Sequence, residues 1–167
     1  EKFTEKYFIK PFQSINIEDV QINNAEKDSM PLEQKIKFSI PVSSSGDYQY
    51  FSLNMFTGLE TNPFVADTRY SDIMFGYDQN YTVYGNFTLP EGYTFEELPK
   101  NMRMIMPDTS IEFSRMMQAD GNMLNVRMTL EFKRPYYLTD EYDEFKEFYK
   151  KLFATLNEQI VVKKVRP

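Results

Sequence analysis

The chain has no cysteine, no histidine and no tryptophan. Without cysteine or histidine it cannot carry Cys–His nucleophilic catalysis, a Ser–His triad, a thiolate or imidazole zinc site, or imidazole acid–base chemistry. The lack of cysteine leaves the redox compartment open, because a reducing cytosol and a disulfide-free envelope protein both tolerate it. No apolar run approaches the roughly 20 residues of a membrane-spanning helix. Excess positive charge is also missing. The net charge of −6 disfavours broad affinity for nucleic acid or anionic lipid. No signal peptide is visible and the chain opens at Glu1 without Met, so we expect an excised domain whose targeting segment lies upstream.

What is present is apolar and aromatic. Hydrophobic residues make up 41 % of the 167 positions, with 15 Phe and 12 Tyr, enough for a sizeable core in one domain over 1–167. The strongest local signal is period two. In residues 80–90, Tyr81, Val83, Phe87 and Leu89 share one face. Asn80, Thr82, Asn86 and Thr88, joined by Tyr84, share the other, the signature of a strand with one covered side. In residues 124–133, Leu124, Val126, Met128, Leu130 and Phe132 alternate with Asn125, Arg127, Thr129, Glu131 and Lys133. That pattern predicts an antiparallel sheet with one solvated face. Ile111, Phe113 and Met117 mark the preceding strand, and Asp120-Gly121 predicts a type I′ hairpin turn between the two.

Upstream, residues 1–12 read as an arm or edge strand. Residues 13–22 change phase between Ile17 and Val20, as a bulge would require. Ile36, Phe38 and Ile40 alternate with Lys35, Lys37 and Ser39 in the next strand. Residues 43–47 read as a flexible turn, and residues 48–56, bulky on both faces, as a strand covered on both sides. Met102, Met104 and Met106 share a face of another short strand. Beyond Pro135 the period lengthens. Tyr142, Phe145, Tyr149, Leu152 and Leu156 step by three and four, predicting one helix packed on a sheet. Thr139 or Asp140 is expected to cap its start, and Glu147 to pair with Lys151. We therefore expect a mainly β fold, an antiparallel β-sandwich of about seven to nine strands with one C-terminal α-helix packed on it.

Residues 57–79 hold no sustained period. Such a long loop in a compact domain is uncommon and often functional. The structural reading has Phe64, Tyr70, Phe75 and Tyr77 plugging one end of the sandwich. The functional reading makes exposed tyrosines a ligand platform, since Tyr offers an apolar face and a polar tip. The loop and the strand after it give a candidate interaction surface of Arg69, Tyr70, Asp72, Tyr77, Tyr81 and Tyr84. Carboxylate chemistry is the one catalytic class left, from Asp67, Asp72, Asp78, Glu91, Glu96 and Glu97, but solvated acids are the commoner case. Asp19, Asn23, Asn24 and Asp28 lack the spacing of a calcium loop. No catalytic, cofactor-binding or metal residue is assigned. The sequons at Asn80 and Asn86 read as ordinary strand Asn and Thr.

One set of residues extends this reading. Asn62-Pro63-Phe64, Arg69-Tyr70, Asp72 and Phe75-Gly76-Tyr77 precede Leu89-Pro90-Glu91-Gly92-Tyr93 and Glu97-Leu98-Pro99. A Tyr/Phe-rich helix and Ile160-Val161-Val162-Lys163-Lys164 close the chain. In order and spacing, residues 57–164 resemble the C-terminal domain of unknown function of bacterial transglutaminase-like envelope proteins. This chain carries Ser71-Asp72-Ile73-Met74-Phe75 where that family often has Tyr-Pro-Val-Asp-Phe. The resemblance implies a non-catalytic accessory domain in the periplasm. Its partner would be an upstream transglutaminase-like domain of the same polypeptide, which it docks on or orients. The alternative is an independent binding module for envelope glycan or peptide. Neither reading calls for a cofactor, a nucleic acid or membrane insertion, and the oligomeric state stays open.

Overall fold

The computed structural model describes residues 15–57, 59 and 61–165, with residues 55 and 56 described in backbone only. The expected arm at 1–12 lies outside the described residues. The chain divides into two compact units, Glu1–Ser43 and Ser44–Pro167.

In the first unit, β1 (Asn16–Asn23) pairs antiparallel with β2 (Glu33–Ser39). The register shifts between Ile17 and Asp19, which is the bulge that the phase change demands. Asn24 turns the chain at a φ of 62°, and its side-chain amide donates to Pro31 O at 3.0 Å.

The second unit is built on two four-stranded sheets. The larger runs β6 (Gln79–Thr88), β10 (Met123–Phe132), β9 (Ile111–Asp120), β8 (Met102–Ile105). The other runs β3 (Ser43–Ser45), β4 (Tyr48–Ser52), β12 (Gln159–Lys164), β7 (Tyr93–Glu97). A two-stranded piece joins β5 (Ile73–Met74) to β11 (Tyr136–Tyr137). Twelve strands occur among the described residues, more than expected. The three extra are β3, β5 and β11, two or three residues each, too short to carry a period. The architecture is mainly β and antiparallel, with one C-terminal helix.

Along β10, Leu124, Val126, Met128, Leu130 and Phe132 are all buried, while Met123, Asn125 and Arg127 are exposed. Against the buried face lies α1 (Tyr142–Leu156), presenting Tyr142, Phe145, Tyr149, Leu152 and Leu156 together with Phe148 and Phe153. Leu53, Ile160 and Val162 complete one continuous core.

Five expectations are corrected. The run from Tyr48 leaves β structure at Ser52 and tightens into a 3₁₀ turn, Leu53–Phe56, which drops Leu53 into the core. Residues 43–45 form the edge strand β3 rather than part of a loose turn. The hairpin turns on Gly121-Asn122, because Asp120 already pairs with Met123. Gly121 has φ +57° and Asn122 is not left-handed, the pattern of a type II′ rather than a type I′ turn. Neither Thr139 nor Asp140 caps α1 by its side chain. Thr139–Glu141 form a 3₁₀ turn, and Glu141 pairs back, accepting the Leu138 N–H at 2.7 Å. On the helix surface Glu147 meets Lys150 at 3.4 Å rather than Lys151.

Candidate functional site

Residues 61–79 form a strap fastened to α1 and to the segment just before it. Asn62 Oδ1 accepts the Phe64 N–H at 2.9 Å, a local turn that aims the buried Phe64 ring inward. Its centroid sits 4.7 Å from Phe145 and 4.6 Å from Tyr149, edge to face in both cases, the favoured aromatic geometry. Tyr142 donates its hydroxyl to Ala66 O at 3.0 Å, and Lys146 reaches Asp67 at 2.9 Å. Further on, Ile73 is buried and pairs with Tyr137. The Phe75 N–H donates to Pro135 O at 2.8 Å, and the Phe75 ring lies 5.0 Å from Phe132.

Two of the six candidate residues serve this fastening. Asp72 accepts the Tyr136 hydroxyl with one oxygen and the Thr139 N–H at 3.0 Å with the other. It satisfies a free N–H of the turn that leads into α1. Arg69 donates from Nε to Ser71 O at 2.7 Å, with its guanidinium 5.8 Å from the Phe64 ring and 6.0 Å from the Tyr142 ring.

The other four face outward. Tyr70 is 94 % exposed and Tyr77 69 %, so the expectation that both plug the fold is corrected. Phe64, Ile73 and Phe75 already fill that end, and Gly76, at φ +85°, turns the chain just before Tyr77. Tyr84 is 69 % exposed, with the Arg127 guanidinium 5.5 Å from its ring. Tyr81 is half exposed and donates to Gln79 Oε1 at 2.7 Å. Burial, with the Tyr77 hydroxyl as a second cause, pushes its pKa up. Met74 joins the outward set at 75 % exposed, paired across β5–β11 with the partly exposed Tyr136. Tyr48 and Tyr50 are half-buried.

Beneath the strap two adjoining hollows of about 360 and 500 Å³ share Leu59, Tyr81 and Leu130. No charged residue lines either. Three of the six acidic residues weighed for catalysis are engaged elsewhere: Asp67 with Lys146, Asp72 with Tyr136 and Thr139, Glu96 with Lys163 at 3.2 Å. Among the described residues no group of three or more acids gathers to hold a metal. Among the described residues no helix is long and apolar enough to cross a membrane.

Two arginines went unnoticed in the sequence. Arg115 is 2 % exposed and donates to Thr155 O at 2.7 Å, Lys100 O at 2.8 Å and Glu158 at 2.5 Å. It thereby binds the C-terminal end of α1, where a cation is favoured, to the large sheet. The signal was its phase: Arg115 occupies the inward register of Ile111 and Phe113. Arg134 spans Asp108 at 2.6 Å and Glu141 at 2.5 Å, over the Tyr137 ring at 4.5 Å. Beside it the Glu141 carboxyl is held below its ordinary pKa. For Asp108, burial pushes upward but is outweighed by bonds from Ser110 and by Arg134, so its pKa falls as well.

Residues 47–162 match the model of a family described as a domain of unknown function with solved-structure structure, DUF3858. The chain belongs to the DUF3858 family. The fold of this DUF3858 chain is also similar to a crystal structure from Parabacteroides distasonis described as "a putative protease". The TM-score is 0.50 at 15 % identity, over 59 % of this chain and 19 % of that one. At that identity the likeness concerns the fold alone. The chain accounts for about a fifth of that protein's length. No curated protein matches this chain.

Proposed function

We propose that the chain is a non-catalytic accessory domain of a transglutaminase-like bacterial envelope protein. It docks on the catalytic domain of the same polypeptide, orienting or shielding it in the periplasm. The observation that carries this reading is the strap. Its inner side is bolted to α1 through Phe64 and to the segment just before α1 through Asp72, Ile73 and Phe75, while Tyr70, Met74 and Tyr77 stand out on it. Aromatic and Met side chains held on a preordered backbone are what a protein interface selects, since little freedom remains to be lost on docking. DUF3858 membership and the occurrence of a similar fold within a much longer chain support the same reading. So does the lack of Cys and His.

The test is the activity and melting temperature of the parent protein, intact, without residues 44–167, and as the triple variant Tyr70→Ala, Met74→Ala, Tyr77→Ala. Docking predicts that the triple variant reproduces much of the deletion's loss. A parent that keeps full activity and stability in both forms would sink the idea. The exposed tyrosines equally favour a second reading, an independent module that stacks envelope glycan or peptide on Tyr70, Tyr77 and Tyr84. Its sign would be binding of such a ligand by the isolated chain, lost in the triple variant. The hollows lend it no support, because a sugar needs more polar partners than their largely apolar walls offer.

A further inference from the structure

Strand β6 forms one edge of the larger sheet among the described residues. It pairs with β10 through ten consecutive residues, Gln79↔Phe132 to Thr88↔Met123, without a shift. Among the described residues no strand lies on its outer side. Natural edges are usually blunted by charge, proline, bulges or brevity, and the other edges of these two sheets are. β8 has four residues with Arg103 and is followed by Pro107. β7 ends in Glu96-Glu97 with Pro99 beyond. β3 has three residues. β6 has ten residues and no charge, no proline and no bulge.

We propose that this edge pairs with the β6 edge of a second copy, forming a two-fold dimer with one continuous eight-stranded sheet. The charge pattern selects this occupant. Each copy carries −6 overall, so two copies repel across most surfaces, and residues 79–88 are a long neutral segment on which they can meet. Antiparallel pairing about a two-fold axis sets residues of one face opposite each other. Only registers centred on a residue, such as Val83 or Tyr84, are then allowed. In those two, Asp78 lies opposite Thr88 or Pro90, so no like charges are juxtaposed. Either register overlaps nine residues of β6 in each copy and adds roughly eight to ten main-chain hydrogen bonds. The contact is isologous and closes at two copies, with the protected β8 at both ends of the new sheet. The proposal rests on the strand edge and not on the strap, so it stands or falls separately from docking.

The test is sedimentation of the whole 167-residue chain across a concentration series, with a matched pair of variants. Asn86 and Asn125 face each other on the exposed side of the sheet, one on the edge strand and one on its inner neighbour. Wild type should pass from monomer to a dimer plateau. Asn86→Lys, with two lysines per dimer at the seam, should raise the dissociation constant about tenfold or more, while Asn125→Lys leaves it unchanged. Amide exchange at residues 79–88 should slow with concentration in wild type and in Asn125→Lys, and much less in Asn86→Lys. A chain that stays monomeric throughout, grows without a plateau, or dimerises equally well in both variants would overturn the proposal.

Discussion

The β9–β10 hairpin and the strap at 61–79 reach order by opposite routes. The hairpin closes on two residues and zips ten consecutive pairs from Asp120↔Met123 to Ile111↔Phe132. The strap has one two-residue strand, and its anchors meet partners far along the chain, Phe64 with Phe145 and Asp72 with Thr139. A hairpin gains contacts as soon as its turn forms, whereas the strap bears a loop-closure cost until α1 is docked. Stability in the hairpin is thus local, and in the strap it is borrowed from the helix. The strap should be the first part to loosen when the helix is weakened.

That asymmetry can be broken at the helix. Phe145 is fully buried and touches Phe64, Tyr137 and Tyr149. Phe145→Ala should cost about 3–5 kcal/mol, and amide exchange should speed up at residues 62–76 well before it does at 111–132. Equal acceleration in both regions would contradict borrowed stability. Next in size is Arg115→Met, which leaves Lys100 O without the guanidinium donor, Thr155 O with only its longer backbone bond from Glu158 N–H at 3.3 Å, and Glu158 without its ion pair. It should cost about 2–4 kcal/mol in denaturant unfolding, and Arg115→Lys should recover only part of it, since an ammonium cannot span three acceptors in the guanidinium plane. Asp72→Ala removes the acceptor for Thr139 N–H and should cost about 1 kcal/mol, with the change in exchange confined to 70–76 and 136–141.

The acid side sharpens the comparison further. Glu141 and Asp108 have folded pKa values below their ordinary ones. Their contribution is therefore complete above the unfolded carboxylate range of about 4 and is lost as pH falls through the lower folded values. Melting temperature should drop from about pH 5 toward about pH 2, and Arg134→Gln should flatten that slope. An unchanged slope would remove Arg134 as its source.

The same physics explains what could be read in advance. β10 and α1 were legible because one face of each is buried by a regular neighbour, so period two and period 3.6 appear undisturbed in the residues. The bulge at Ile17/Asp19 was legible as a slipped phase. The strap was not, because the buried Phe64 and partly buried Phe75 are covered by side chains dozens of residues away and no local period records that. Sequence alone therefore gave Tyr70 and Tyr77 the same standing as Phe64. Arg115 was hidden for a related reason: its charge argued for solvent, and only the carbonyls of Lys100 and Thr155, brought together by the fold, make its burial affordable. Arg69 and Asp72 were picked out as surface residues and are used internally, while Tyr70, Tyr77, Tyr81 and Tyr84 do reach the surface.

The most direct measurement is hydrogen exchange on this chain alone and within the longer transglutaminase-like polypeptide proposed above, peptide by peptide. The account predicts that the anchored amides around Phe64 and Phe75 are protected in both, and that protection around Tyr70, Met74 and Tyr77 is gained only in the parent. Identical exchange at those three positions in both forms would contradict docking through the strap.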